Sequence, residues 1–255
     1  MLSSYLDDHL EWIFPYELVV SHAPGGFSGL IVFRDWLLQS KDFTDQILAG
    51  IVQSATEESQ DQTFFQLEAP LKLLQSALRF NTEHGSEKTP PVQLYIAQSL
   101  LGDLPPALQA DLPTPELVKS AGKGDVYSSS VWLGTEPTFT PLHRDPNPNL
   151  FRQLCSRKTV RLLPPAVGDQ VFFEVQVQIR RHGSSRIRST EMMEGQEREA
   201  LHDAVWEAKD AVAEHMQEAE LGPGEALFIP KGWWHSVKSS YSRGHLNGSV
   251  NWWFR

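Results

Sequence analysis

Thr140-Pro-Leu-His-Arg-Asp145 and Pro230-Lys-Gly-Trp-Trp-His235 are the two stretches on which the fold turns. Side chains at i and i+2 of a β-strand share a face, so an extended 140–145 segment sends His143 and Asp145 one way and Arg144 the other. His235 must then arrive from a second strand about ninety residues later. Two imidazoles and a carboxylate form the 2-His-1-carboxylate set that suits a non-haem Fe(II) ion and leaves three metal positions open. A lone His-x-Asp is a weak signal, and its surroundings decide its weight.

Outward from these stretches the chain changes character. Over residues 27–80 apolar residues recur at helical spacing, for example Phe43, Ile47 and Ile51, then Leu71, Leu74 and Leu78, with a polar stretch at 56–62. From Val92 the pattern becomes short strand-like runs at 92–96, 126–133, 160–163, 171–179, 226–229 and 249–254, punctuated by Gly and Pro. One helix is expected within that half, over 196–219, with Leu201, Val205, Ala208, Val212 and Met216 on one face. The expected fold is mainly β with α: a jelly roll with a helical N-terminal part and an inserted helix. The division is 1–90, packing on the core, and 91–255, the core itself.

The 255 residues carry a formal net charge of −10, which argues against a surface built for a phosphate backbone. The one local exception, Arg180, Arg181, Arg186 and Arg188, reads as a solvated loop or as a patch for an acidic partner segment. A single cysteine, Cys155, excludes an intramolecular disulfide and suits an intracellular compartment, cytoplasmic or nuclear. Neither a signal peptide nor a run of membrane-spanning length is present in the sequence, so no membrane role is expected. His202 and His215 read as a solvated helix face, and Gly25-Gly26 as a turn. Of Trp233, Trp234, Trp252 and Trp253, one of each adjacent pair is expected in the core.

Residues 132–165, Trp-Leu-Gly-Thr-Glu-Pro-Thr-Phe-Thr-Pro-Leu-His143-Arg-Asp145-Pro-Asn-Pro-Asn149-Leu-Phe-Arg-Gln-Leu-Cys-Ser-Arg-Lys158-Thr-Val-Arg-Leu-Leu-Pro-Pro, resemble the core of the JmjC (cupin-like) 2-oxoglutarate oxygenases. The runs Gly222 to His235 and Gly248-Ser-Val-Asn251-Trp-Trp continue the match, which covers about residues 92–255. In style it is closest to the small hydroxylases typified by the asparaginyl hydroxylase that inhibits hypoxia-inducible factor. The resemblance implies a double-stranded β-helix with Fe(II) on His143, Asp145 and His235. It assigns Lys158 to the distal carboxylate of 2-oxoglutarate, Thr140 and Tyr95 to hydrogen bonds with it, and Asn149 and Asn251 to the metal-bound end. Alternation supports Lys158 independently: on a 158–163 strand it falls in line with Val160 and Leu162, where a lysine needs an anion.

The implied activity consumes O2 and 2-oxoglutarate and hydroxylates a side chain of a protein or peptide. An N-methyl-lysine demethylase, a small-molecule oxygenase and a non-catalytic cupin-fold binding protein stay open beside it. Two departures from the family pattern stand out. Ser156-Arg157 replaces the glycine common before the lysine, and residues 166–219 replace a segment that shapes substrate access. The chain ends just after the last motif, without the C-terminal helices that some family members use to dimerise; monomer, a different association and a trimmed chain all remain open.

Overall fold

Alternating polar and apolar residues with β-branched and aromatic content build strands here, and Pro and Gly end them. The computed structural model describes residues 9–19, 26–56, 64–84, 90–121, 123–186, 194–207 and 212–255. Arg188, Ala208, His22 and Gly25 lie outside them. Two compact units divide the chain: 1–109 with 131–138 and 241–248, and 110–130 with 139–240 and 249–255.

In the first unit β1 (Ile13–Val19) pairs antiparallel with β2 (Phe64–Pro70) along its whole length and with β3 (Gln93–Leu100) on its other edge. Helices α1 (Gly26–Gln39), α2 (Phe43–Thr56) and α3 (Lys72–His84) belong to the same unit. The helical reading of 27–80 thus needs strand β2 added. In α2 the expected apolar stripe is on the wrong face: Phe43 and Ile47 are exposed, while Asp45, Leu48, Ala49 and Val52 are buried. Asp45 tolerates burial because Ser40, Ser76 and Arg79 all donate to its carboxylate.

Short helices α4 (Pro106–Asp111) and α5 (Glu116–Ser120) precede β4 (Val126–Thr135). The second unit then runs through β5 (Phe139–Arg144), β6 (Asn149–Cys155), β7 (Lys158–Leu163), α6 (Pro165–Gln178), α7 (Gly195–Trp206), β8 (Gln217–Leu221), β9 (Ala226–Ile229), β10 (Trp234–Ser239) and β11 (Leu246–Phe254). Strands β5-β10-β7-β8 form an antiparallel sheet, and β11, β6 and β9 neighbour one another in a second. Phe151 and Ile229 from the latter meet Val160, Leu162, Leu221 and Val237 from the former. The interior is therefore a jelly-roll core, as expected. The turn from β6 into β7 places Ser156 at φ 56°, the left-handed region that glycine favours, so the serine occupies a position whose backbone still asks for glycine.

Two expected elements are corrected. Residues 171–179 are not a strand but most of α6, which starts at Pro165, where a missing N–H does no harm, and buries Val171, Phe172 and Val175 while Phe173 and Val177 face solvent. The helix expected over 196–219 stops at Trp206. A 3₁₀ turn takes Ala213–His215, and Gln217–Leu221 pairs with β7, so Met216 is not on the helix. Helices α6 and α7 together cover Leu142, Leu163 and Trp234 on the outer side of the four-stranded sheet. Gly168 allows the closest approach, since a Cβ there would stand 2.2 Å from Trp234 Cγ. Gly168→Ala is expected to destabilise the fold by about 1–3 kcal/mol through overpacking, read as a lower denaturation midpoint.

Candidate metal centre

Strands β5 and β10 are neighbours, and His143 and His235 are direct cross-strand partners, which puts both imidazoles on one face. The rings lie 4.2 Å apart between centroids. Each Nδ1 meets a backbone carbonyl two residues earlier, His143 that of Pro141 at 2.8 Å and His235 that of Trp233 at 3.4 Å. With Nδ1–H donating there, each Nε2 keeps its lone pair for another partner. Those Nε2 atoms stand 4.0 and 3.6 Å from the two oxygens of Asp145. One donor atom from each of the three residues lies within 4.8 Å of the other two. That clustering of two imidazole nitrogens and a carboxylate oxygen is the donor set that one first-row metal ion takes.

The electrostatics suit a cation. Burial, with His143 adding to it, pushes His235 down to about 4, so its ring is neutral at neutral pH and its lone pair is not held by a proton. Burial acts to raise Asp145, but the two imidazoles and two hydrogen bonds outweigh it and hold the carboxyl below its usual range. Those bonds come from Trp253 Nε1 at 2.7 Å and Asn149 Nδ2 at 3.0 Å, both to Oδ2. Asn251 Nδ2 in turn donates to Asn149 Oδ1 at 2.8 Å. The carboxylate orients both amides, and the chain ends on a buried Asn251 Oδ1 with no partner among the described residues. Trp253→Phe removes one donor to the carboxylate while keeping an aromatic ring. It is expected to weaken metal binding about 10–100-fold, measured by competition with a chelating dye, with the melting transition little moved.

Lys158 is 2% exposed and lies in register with the core, since Lys158, Val160 and Leu162 are buried while Thr159 and Arg161 are half-buried. Its Nζ donates to Ser249 Oγ at 2.9 Å and stands 5.8 Å from the Phe151 ring. Burial brings its amine down to about 7, with Cys155 acting weakly the other way. Across the β7–β10 ladder Lys158 faces Ser239 and Leu162 faces His235, four steps or about 13 Å apart. Thr140 is buried opposite Val237, beyond a register shift that follows His235, and its carbonyl accepts Ser236 Oγ at 2.9 Å. Tyr95 belongs to the first unit, on β3, with its ring 6.0 Å from that of Trp132.

The outer side of the sheet holds a group that sequence reasoning missed. Asp169 Oδ1, on α6, accepts from Arg144 Nη1 at 2.8 Å and from Trp234 Nε1 at 3.1 Å. Arg144 sits between His143 and Asp145, and Trp234 precedes His235, so one carboxylate pins the outward neighbours of all three donors. Trp253 was missed as well. Of these four tryptophans Trp234, Trp252 and Trp253 are buried and Trp233 is half-exposed, so each pair supplies a core residue and the second pair supplies two, on a strand buried along its length. Cys155 is half-buried, and no metal cluster other than the triad occurs among the described residues. No helix among them is long and apolar enough to cross a membrane.

Known proteins carry similar segments. The chain is 29% identical over 154 residues to "Lysine-specific demethylase JMJ30" of Arabidopsis thaliana, covering 60% of this chain and 33% of that protein. It is 29% identical over 161 residues to "Lysine-specific demethylase 8" of Danio rerio, covering 63% and 36%, and 28% over 155 residues to "JmjC domain-containing protein D" of Dictyostelium discoideum, covering 57% and 32%. The chain thus spans about a third of the length of these relatives. Residues 37–255 match the family described as "Cupin-like domain", and the chain belongs to that cupin-like, JmjC-type family.

Proposed function

We propose that the protein is an Fe(II)- and 2-oxoglutarate-dependent oxygenase that hydroxylates a side chain of a protein or peptide. The observation that carries this reading is the shared inner face: His143, His235 and Lys158 all occupy it, with the triad at one end of the ladder and a buried amine at the other. A divalent metal fits the first and a carboxylate the second. A short diacid that chelates the metal at one end and meets Lys158 at the other spans the ladder between them. When bound, iron with 2-oxoglutarate and dioxygen supplies the oxidising chemistry, so that R–H, O2 and 2-oxoglutarate become R–OH, succinate and CO2.

The protein's share is binding and geometry. His143, Asp145 and His235 hold the metal and leave three positions open. Trp253 and Asn149 fix the orientation of Asp145, and the free acceptor of Asn251 Oδ1 suits an N–H or O–H at the metal-bound end. Thr140 assists Lys158. Phe151, Val160 and Leu162 belong to the apolar cluster on the same side of the sheet, and apolar surface there excludes water. The likeness to the asparaginyl hydroxylase type belongs to this reading, as does an intracellular site of action.

A second reading is N-methyl-lysine demethylation, favoured by the names of the relatives. The same centre serves it, because hydroxylating an N-methyl group releases formaldehyde. Anaerobic titration with Fe(II) and 2-oxoglutarate, then addition of oxygen and mass spectrometry of candidate peptides, decides. Gain of one oxygen atom supports hydroxylation, formaldehyde with loss of a methyl group supports demethylation, and failure to bind 2-oxoglutarate in the presence of metal rejects both.

A further inference from the structure

A cleft of about 480 Å³ lies in the second unit between the exposed Tyr127 ring, the Pro146-Asn147-Pro148 run and three cations, Arg186, Lys231 and Arg255. Its lining is close in sequence to the candidate metal ligands, since residues 146–148 join Asp145 to Asn149 and Lys231 precedes His235 in the turn that leads into β10. No lining side chain is acidic. Elsewhere in this unit Arg144, Arg157 and Arg161 are each neutralised by Asp169, Glu220 and Glu218. Arg186, Lys231 and Arg255 are exposed and make no ion pair with another described residue, although the chain as a whole carries −10. Arg255 holds its guanidinium 4.9 Å over the Tyr127 ring.

Unpaired like charges gathered in one concave place repel one another and are unfavourable unless an anion joins them. We propose that this cleft binds an acidic segment of the polypeptide substrate, with Asp or Glu side chains on Arg186, Lys231 and Arg255 and a neighbouring residue presented to the metal. The word substrate rests on the oxygenase reading; the ligand chemistry of the cleft does not. Prolines and a tyrosine offer flat apolar walls to an extended backbone, and three separated cations match a spaced series of carboxylates. A basic tail is repelled by the same charges. A nucleic acid needs a basic stripe along many phosphates, which three cations on an acidic chain do not make. Of the arginine cluster singled out in the sequence, Arg186 alone lines the cleft; Arg180 and Arg181 do not, and Arg188 lies outside the described residues.

The test uses the metal-free protein and a fluorescein-labelled peptide of about twelve residues in which Asp and Glu alternate with Gly and Ser. Anisotropy is expected to show binding about tenfold or more tighter than for Gln/Asn and Lys versions of the same peptide, weakening as salt rises. The triple variant Arg186→Glu/Lys231→Glu/Arg255→Glu is expected to abolish that preference, and Lys231→Ala alone to weaken it about two- to fivefold. Dye competition should give the triple variant the metal affinity of the parent, which shows it folded. Equal affinity for the three peptides, or an unchanged preference in the folded triple variant, overturns the proposal. So does tighter binding of an oligothymidylate through the same three residues. Acidic-peptide binding with no 2-oxoglutarate turnover rejects the oxygenase reading and leaves the cleft assignment standing.

Discussion

Replacing His143, Asp145 or His235 by Ala is expected to bring metal-dependent consumption of 2-oxoglutarate down to the level of the metal-free protein, in each variant alone. The three donors come from two strands and no fourth His, Cys, Asp or Glu joins them among the described residues, so no spare ligand takes over. The fold is expected to survive, because His143 and His235 are buried rings against an apolar core and Ala keeps both strands paired. His235→Ala also removes a ring that resists protonation. In the unfolded chain that histidine titrates near 6.5, in the fold only near 4, so the unfolded state binds more protons between the two values. Stability of the metal-free parent is present above about pH 6.5 and falls as pH drops toward 4; the variant should lose part of that slope. Zn²⁺ and Ni²⁺ should compete for the site without supporting turnover. Retained turnover in all three variants would falsify the ligand assignment.

Lys158→Ala is expected to raise the 2-oxoglutarate concentration for half-saturation from about 10²-fold to several 10³-fold, since a desolvated carboxylate left without its partner costs on the order of 3–5 kcal/mol. Turnover at saturation should change far less, because the metal contacts are untouched. Lys158→Arg should not restore affinity: a planar fork does not fit where a single ammonium stands between Ser249 and Phe151. The amine also gives binding a pH signature. Burial brings it to about 7 in the fold, while the unfolded chain titrates near 10.4, so stability of the ligand-free fold rises with pH between those values. A bound dicarboxylate favours the ammonium form. Binding above pH 7 should therefore take up a proton at Lys158 and weaken up to about tenfold per pH unit, as calorimetry in buffers of different ionisation enthalpy will show. Affinity independent of pH, with no proton uptake, would mean that another cation meets the acid.

How far the sequence could be read depended on whether the signal was local. His143 and Asp145 announce themselves because a strand's period of two is written in adjacent letters, and the same period gave the buried face of Lys158, Val160 and Leu162. Runs at 226–229 and 249–254 were legible for the same reason. Residues 171–179 misled because Val-Phe-Phe-Glu-Val-Gln-Val-Gln-Ile has the composition of a strand; packing of Val171, Phe172 and Val175 with Trp234 overrides that propensity. Phe43 and Ile47 misled in another way, since the period was right but the buried side belongs to Asp45 and its three donors. Asp169, Trp253 and the cleft at Tyr127, Lys231 and Arg255 depend on pairs distant in sequence, which no local pattern encodes.

The direct pairing of His143 with His235 ties assembly of the centre to the fidelity of folding. Because side chains alternate, a slip of one residue between β5 and β10 would send one imidazole to the helix-covered side, and the two nitrogens could never share an ion. A metal captured there would act as a proofreading step. It rewards one alignment of these strands and none of its neighbours, and by mass action it draws misaligned chains toward the correct one. The fraction of molecules that hold a metal after refolding therefore counts those whose strands found each other in the right frame.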